Sequence, residues 1–388
     1  MRFPEFTEEW KAEQLDNIAT LSKGIGISKE QLSEDGEPCI LYGELYTKYK
    51  SEIIKQVESK TDINGSKLKR SKANDVIIPC SGETAVDIAT ARCVPFDNIL
   101  FGGDLNVISL HQYDGAFMSY QLNGKRKYDI ARVAQGVSIV HLYGEHLKAI
   151  KTYNPTLPEQ QKIAKLLSLL DDRIDTQNKI IERYESLIRG INQYAFTNTG
   201  INYKLGEICE IRSGYSGNQL TLKNGLKVSR IETISGHKVN MERVGYVAPF
   251  ESSENYRLQI GDILFSNINS VEYIGNTAFI DKDYNLYHGM NLLRLIPKKE
   301  LVMPFYLYLV LNTNRLLNHF KTVCNKAVSQ ASINQTELGK TIVRIPNLMN
   351  QNRICELFQT LYTKLEAERY FISLLQDQKQ HLLRQMFI

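Results

Sequence analysis

Asn154-Pro155-Thr156-Leu157-Pro158-Glu159-Gln160-Gln161-Lys162-Ile163-Ala164 decides the fold, because its proline-marked turn leads straight into a sustained heptad run. Apolar residues recur with 3-4 spacing at Ile163, Leu167, Leu170, Ile174, Ile181, Tyr184, Ile188, Ile191 and Ala195, interrupted by Gln177. A second run follows Pro346 and carries Ile354, Phe358, Leu361, Leu365, Glu368, Ile372, Leu375, Lys379, Leu382 and Met386. Each run predicts a helix of about 38 residues, roughly 57 Å at 1.5 Å per residue. A helix that long with one apolar seam needs a partner, and each run is the nearest candidate for the other. One such run alone would read as a coiled-coil dimerisation helix. Two in one chain, each preceded by a globular half, predict an antiparallel pair in which Gln177 and Glu368 meet near the middle and fix the register.

Outward from the helices, the chain repeats itself at an offset of about 190 residues. Leu15-Asp16-Asn17-Ile18 lies over Leu205-Gly206-Glu207-Ile208, Asn74-Asp75-Val76-Ile77 over Gly261-Asp262-Ile263-Leu264, and Ala134-Gln135-Gly136-Val137-Ser138 over Asn325-Lys326-Ala327-Val328-Ser329. A period this long means a duplicated domain. Strand-like runs (Asp75 to Pro79, Ile99 to Phe101, Asn106 to Leu110; Gly261 to Phe265, Thr277 to Ile280, Leu292 to Ile296) alternate with Gly/Asn/Asp turns. One amphipathic segment containing Phe305, Tyr308, Leu309, Leu316 and Phe320, matched loosely by Phe117 to Ile130, reads as helix. The fold class is therefore α/β: two mixed domains, at 1–153 and 200–345, with long helices at 154–199 and 346–388.

Composition bounds the function. The 388 residues are 43% hydrophobic and 23% charged, as in ordinary globular proteins. The longest apolar run, Phe305 to Leu311, is far short of the ~18 residues a membrane span needs. The start, Met1-Arg2-Phe3-Pro4-Glu5, has no apolar signal region, so a cytoplasmic location and no membrane partner are expected. Six cysteines lie singly, without C-x-x-C spacing, and read as core residues with no bound metal. A net charge of +4 permits nucleic-acid binding without requiring it.

The usual catalytic constellations fail in turn. Asn123-Gly124-Lys125-Arg126 lacks the first glycine and the hydroxyl residue of a phosphate loop, and there is no G-x-S-x-G or H-E-x-x-H. Phe101-Gly102-Gly103-Asp104 reads as a strand-end turn. Asn154-Pro155-Thr156-Leu157 lacks the second proline and the aromatic of an amino-methyltransferase motif, and Glu58-Ser59-Lys60 is better explained as a solvated charged face than as half of a nuclease site. No catalytic residue is assigned.

With its two diverged halves, its x-Asp-Ile/Val-Ile/Leu strands and its proline turns into long helices, the chain resembles the specificity subunit of Type I restriction-modification systems over nearly its whole length. Met1-Arg2-Phe3-Pro4-Glu5-Phe6-Thr7-Glu8-Glu9-Trp10, Gly261-Asp262-Ile263-Leu264-Phe265-Ser266 and the Asn154–Ala164 stretch carry the resemblance most specifically. The second helix start, Pro346-Asn347-Leu348-Met349-Asn350-Gln351, departs from the Pro-x-x-x-Glu-Gln pattern of the first. The resemblance implies two target recognition domains reading a bipartite, asymmetric site in double-stranded DNA, and coiled-coil spacer helices that dock two modification (methyltransferase) subunits. It implies no cofactor in this chain. S-adenosylmethionine, ATP and Mg2+ would be held by the modification subunits and by restriction (helicase-nuclease) subunits.

Loops after strands are the expected base readers, since a rigid sheet positions them. In the first half these are Lys23, Tyr42, Glu44, Tyr46, Thr47, Lys48, Ser81, Glu83, Arg132, Gln135 and Ser138; in the second, Ser213, Tyr215, Ser229, Arg230, Glu232, Ser266, Asn267, Asn269, Lys326, Ser329 and Gln330. Arg and Lys suit guanine or phosphate, Asn and Gln suit adenine, and Glu accepts from cytosine N4. The rival reading is a coiled-coil scaffold whose half-domains bind protein partners.

Overall fold

The computed structural model describes residues 2–64, 67–196, 200–327 and 330–387. It divides into two compact units, Met1–Ile180 with Glu368–Ile388, and Ile181–Ala367.

In the first unit a four-stranded antiparallel sheet has the order Ala19–Lys23, Leu105–Leu110, Asp75–Pro79, Arg92–Val94. Its inner strand is buried on both faces: Val76 and Ile78 join a core with Ile108, Met118 and Leu122, while Ile77 joins another with Ile40, Leu45 and Phe101. The second unit builds the same order from Cys209–Ser213, Leu293–Pro297, Ile263–Phe265 and Thr277–Phe279. Alternation again divides the inner strand, Ile263 and Phe265 to one core and Leu264 to the other.

The Asp of the shared strand motif has a structural reason. Asp75 Oδ2 accepts the Lys72 backbone N–H at 2.8 Å, and Asp262 Oδ2 accepts that of Gln259 at 2.6 Å. Each carboxylate closes a turn whose preceding residue is left-handed, Asn74 at φ 83° and Gly261 at φ 99°. The turn thus selects both residues of the motif.

Between the first and second sequence strands of each sheet the units part company. There the first unit supplies three strands of a further sheet, completed by Leu100–Phe101 from just before the fourth sequence strand, in the order Lys60–Thr61, Glu37–Ile40, Leu100–Phe101, Lys69–Arg70. The second has short 3-10 turns and the pair Leu226–Val228 with Gly245–Val247. The expected single amphipathic segment around Phe305 to Phe320 is two helices, Pro304–Leu311 and Asn314–Val323, because Thr313 caps the second by accepting the Leu316 N–H. Its counterpart is likewise Gly115–Asn123 and Lys127–Val133.

The long helices run Leu157–Tyr194 and Leu348–Gln385, 38 residues each. In the first unit, Ile163 and Leu167 near the start of one pack with Leu383, Met386 and Phe387 near the end of the other. In the second unit, Ile181, Tyr184 and Ile188 pack with Phe358, Leu361 and Leu365. Every seam position is buried or half-buried, including Leu170, Ile174, Ile354, Ile372, Leu375 and Leu382. Gln177 is buried and its amide donates to the Glu368 carboxylate.

Both helix starts turn on a buried glutamine. Gln160 donates to the Pro155 carbonyl at 2.8 Å and accepts from Asp114 N–H at 2.9 Å. Gln351 donates to the Pro346 carbonyl at 2.8 Å and accepts from Met303 N–H at 2.7 Å. The departure at Asn350 therefore leaves the turn intact. What differs is the neighbour: Glu159 is fully buried and takes two hydrogen bonds of 2.7 Å from Arg2, with Trp10 at 3.4 Å.

Candidate nucleic-acid interface

In the first unit a concavity of about 680 Å³ opens where three separate loops meet. The turn Tyr42–Thr47, the short strand Ser81–Gly82 with Glu83, and Ser138 with Ile139 supply its walls, and Arg92 lies among its lining residues. Tyr46 fixes two of these loops together by donating to the Ser81 carbonyl at 3.1 Å. Burial, reinforced by Asp87, pushes its phenol pKa well up, so it stays a neutral donor. Arg92 is buried and donates to the carbonyls of Tyr49 at 3.0 Å and Ala91 at 2.9 Å, bracing the wall from beneath. Glu83 and Asp87 give the opening an acceptor-rich character, with Ile139 as an exposed apolar contact.

The second unit has a smaller concavity, about 390 Å³, of different chemistry and lined largely by other parts of the repeat, with only Arg230, Ile231 and Glu232 near the equivalent of the Tyr42–Thr47 turn. Ser216, Asn218, Gln219 and Asn291 bring hydroxyl and amide groups to it, and Arg230 and Glu232 stand at 3.5 Å from one another on its wall. Thr233 holds the Arg230 backbone by accepting its N–H at 2.8 Å. Close by, Tyr215 stacks on Phe250 with centroids 3.9 Å apart, and Tyr256 meets both edge-on.

Of the residues singled out in the first half, Tyr42, Tyr46, Thr47, Ser81, Glu83 and Ser138 converge on one concavity. Lys23, Arg132 and Gln135 are exposed outside its lining, Lys23 over the Tyr143 ring and Arg132 paired with Asp129. Glu44 is a correction. It is buried, accepts the Leu41 N–H at 2.9 Å and the Ser59 hydroxyl, and pairs with Lys48 at 2.8 Å, so it builds the turn instead of facing a ligand.

In the second half Arg230 and Glu232 reach the concavity. Ser229 and Ser266 are corrections, both buried: Ser229 accepts the Gly289 N–H at 3.0 Å and Ser266 accepts from Asn269 at 3.1 Å. Asn267 is half-buried and bonds Ile333, Ser213 is exposed, and Lys326 and Gln330 are exposed on the hairpin pairing Asn325–Lys326 with Ala331–Ser332. Ser329 lies outside the described residues. Asp87, Arg92, Ile139, Asn218, Gln219 and Asn291 were missed. Only the Gly/Ser/Asn-rich stretch from Ser213 to Asn218 signalled any of them in advance.

Two units with one strand order are also two matches to one family. The Type I restriction modification DNA specificity domain matches residues 7–186 and again 201–371. The chain belongs to that family. This specificity subunit is 24% identical over 400 residues to the "Type I restriction enzyme MjaVIII specificity subunit" of Methanocaldococcus jannaschii, covering 93% of this chain and 88% of that one. To the "Putative type I restriction enzyme MjaX specificity subunit" of the same organism it is 38% identical over 188 residues, 47% of this chain, and it spans only 44% of that relative. The fold is shared with the S subunit of a type I restriction-modification system from M. genitalium, at TM-score 0.62, 17% identity and coverage of 100% and 97%. A chain from a structure of type I system assembly and conformational transition gives TM-score 0.62 at 17% identity, covering 98% and 97%. Among the described residues no helix is long and apolar enough to cross a membrane.

Proposed function

We propose that this specificity subunit chooses the DNA target for a type I complex, each domain reading one part of a bipartite, asymmetric site, and that it contributes no catalytic group. The observation that carries this reading is one sheet scaffold, built twice, that bears concavities unlike in both place and chemistry: a common frame presents different groups to two different base sequences. In the first domain Glu83 and Asp87 accept from base amino groups, and in the second Arg230 suits guanine, with Asn218 and Gln219 suited to adenine.

Chemistry comes from partners in this proposal: two modification subunits with S-adenosylmethionine, and restriction subunits with ATP and Mg2+. Leu166 and Leu357, equivalent in the repeat, are 37% and 45% exposed, and so are Leu157 and Leu348 at 43% and 44%. The same apolar group offered twice supports docking of two copies of one partner.

The test is to replace residues 200–345 with the corresponding domain of a relative, co-express the modification subunit, and map methylated adenines across the host genome. The expected result is a motif with its first half retained and its second half replaced. A motif changed in both halves, or methylation by the chain alone, overturns the reading.

A further inference from the structure

Two contacts between the long helices and the globular cores stand at equivalent positions of the repeat, yet they are made of opposite chemistry. In the first unit Lys379 Nζ lies 2.5 Å from Glu52 Oε2 and 2.6 Å from Asp171 Oδ1, and the three side chains are only 13%, 8% and 4% exposed. Tyr120 donates to the second Asp171 oxygen at 2.7 Å, and the lysine also sits over the Tyr120 ring. Burial alone would lower the lysine pKa, but the two carboxylates hold it above its ordinary value. In the second unit the residues equivalent to Lys379 and Asp171 are Ile188 and Tyr362, which belong to an apolar cluster with Leu309, Phe358 and Leu361.

We infer that these contacts are keys of opposite type: the first domain accepts the helix segment that brings Lys379, the second accepts the segment that brings Ile188, and the repeated helix ends cannot substitute for one another. Seating the Ile188 segment on the first domain would remove the ammonium that contacts both buried carboxylates, leaving Arg92 nearby, whose guanidinium donates to the Tyr49 and Ala91 carbonyls, and breaking a buried pair in this way is strongly destabilising. Seating the Lys379 segment on the second would put an ammonium into a cluster of leucine, isoleucine and phenylalanine. The surface around Glu52 and Asp171 therefore selects a cation-bearing helix as its partner. A second copy of the chain could offer its Lys379 segment, but two first halves facing one another would not form a stable pair.

The full-length chain tests this by hydrogen exchange read segment by segment. Lys379→Ile should raise amide exchange across 368–387 by about a hundredfold or more, the loss expected when a buried ion pair is broken, while 181–195 and 348–367 stay as they were. Lys379→Arg should stay within about tenfold of the parent because it keeps the charge. Combining Lys379→Ile with Asp171→Tyr and Glu52→Leu, an apolar set like that of the second unit, should restore protection to within about tenfold. In the reverse direction Ile188→Lys should loosen 181–195, and adding Tyr362→Asp should recover part of the loss. The inference is overturned if Lys379→Ile leaves exchange unchanged, or if neither compensated variant is better protected than its uncompensated parent.

Discussion

The two sheets agree strand for strand, while the segments inserted after their first strands agree in almost nothing. Residues 24–74, with Leu100–Phe101, make a second small sheet whose Ile40, Leu45 and Tyr49 share a core with Ile77 and Val107 of the main sheet, whereas 214–260 make 3-10 turns and one two-stranded ribbon whose Val228 and Val247 pack with Tyr287. The sheets are held by strands buried on both faces, where nearly every substitution leaves a cavity or a buried polar group. The inserts need only supply apolar side chains to one face of the sheet, Ile40 and Leu45 against Ile77 in the first unit and Ile234 and Leu258 against Leu264 in the second, and are free elsewhere. Divergence therefore collects where it changes what the surface offers and not whether the domain stands.

The strongest way to break this comparison is to attack the frame. Phe265 is fully buried and meets Phe320 edge-on at 5.0 Å, so Phe265→Ala should cost about 3–5 kcal/mol. Chemical denaturation should show the second domain unfolding early. A loss below about 1 kcal/mol would mean that the sheet core is not what carries the domain.

Substitution in an insert should do the reverse. Arg230→Ala should leave the melting temperature unchanged and weaken discrimination at the second half-site by about 1–3 kcal/mol, read as relaxed adenine methylation at one position. Equal weakening at both half-sites would show that Arg230 meets phosphate and carries no base choice.

Acid sharpens the contrast further. Burial, with the charge of Arg294 behind it, holds His288 at a pKa of about 4 against 6.5. The unfolded chain then takes up the proton first, so His288 contributes stability above pH 6.5 that is lost as pH falls toward 4. The second domain should lose about 1 kcal/mol by pH 6 from this group, and His288→Gln should flatten that slope in pH-dependent unfolding. The smallest effect is expected at Arg132, whose side chain is 79% exposed beside Asp129. Arg132→Ala should change stability by less than about 0.5 kcal/mol and leave the methylated motif alone.

The frame was legible because its signals are periodic. Thirty-eight-residue helices keep an apolar seam over many turns, and the strand motif repeats with its left-handed residue and its Asp. The concavities were legible only in part, since Tyr42, Ser81 and Ser138 are brought together by folding, and nothing local records that. Glu44 and Ser229 look in sequence like any polar loop residue. What removes them from the surface is a backbone N–H, of Leu41 in one case and Gly289 in the other, that only the folded chain puts within reach.

Lys379 also imposes an order in time. A ribosome delivers the chain from its amino end, so Glu52 and Asp171 emerge long before the lysine that contacts them both, which follows only after residues 181–367 of the second unit. The domain made first is thus completed last, after its sister has been synthesised. A premature stop between 348 and 379 would leave Glu52 and Asp171 without the lysine that contacts both. Nascent chains stalled before and after Lys379 should differ sharply in protease resistance over residues 157–180.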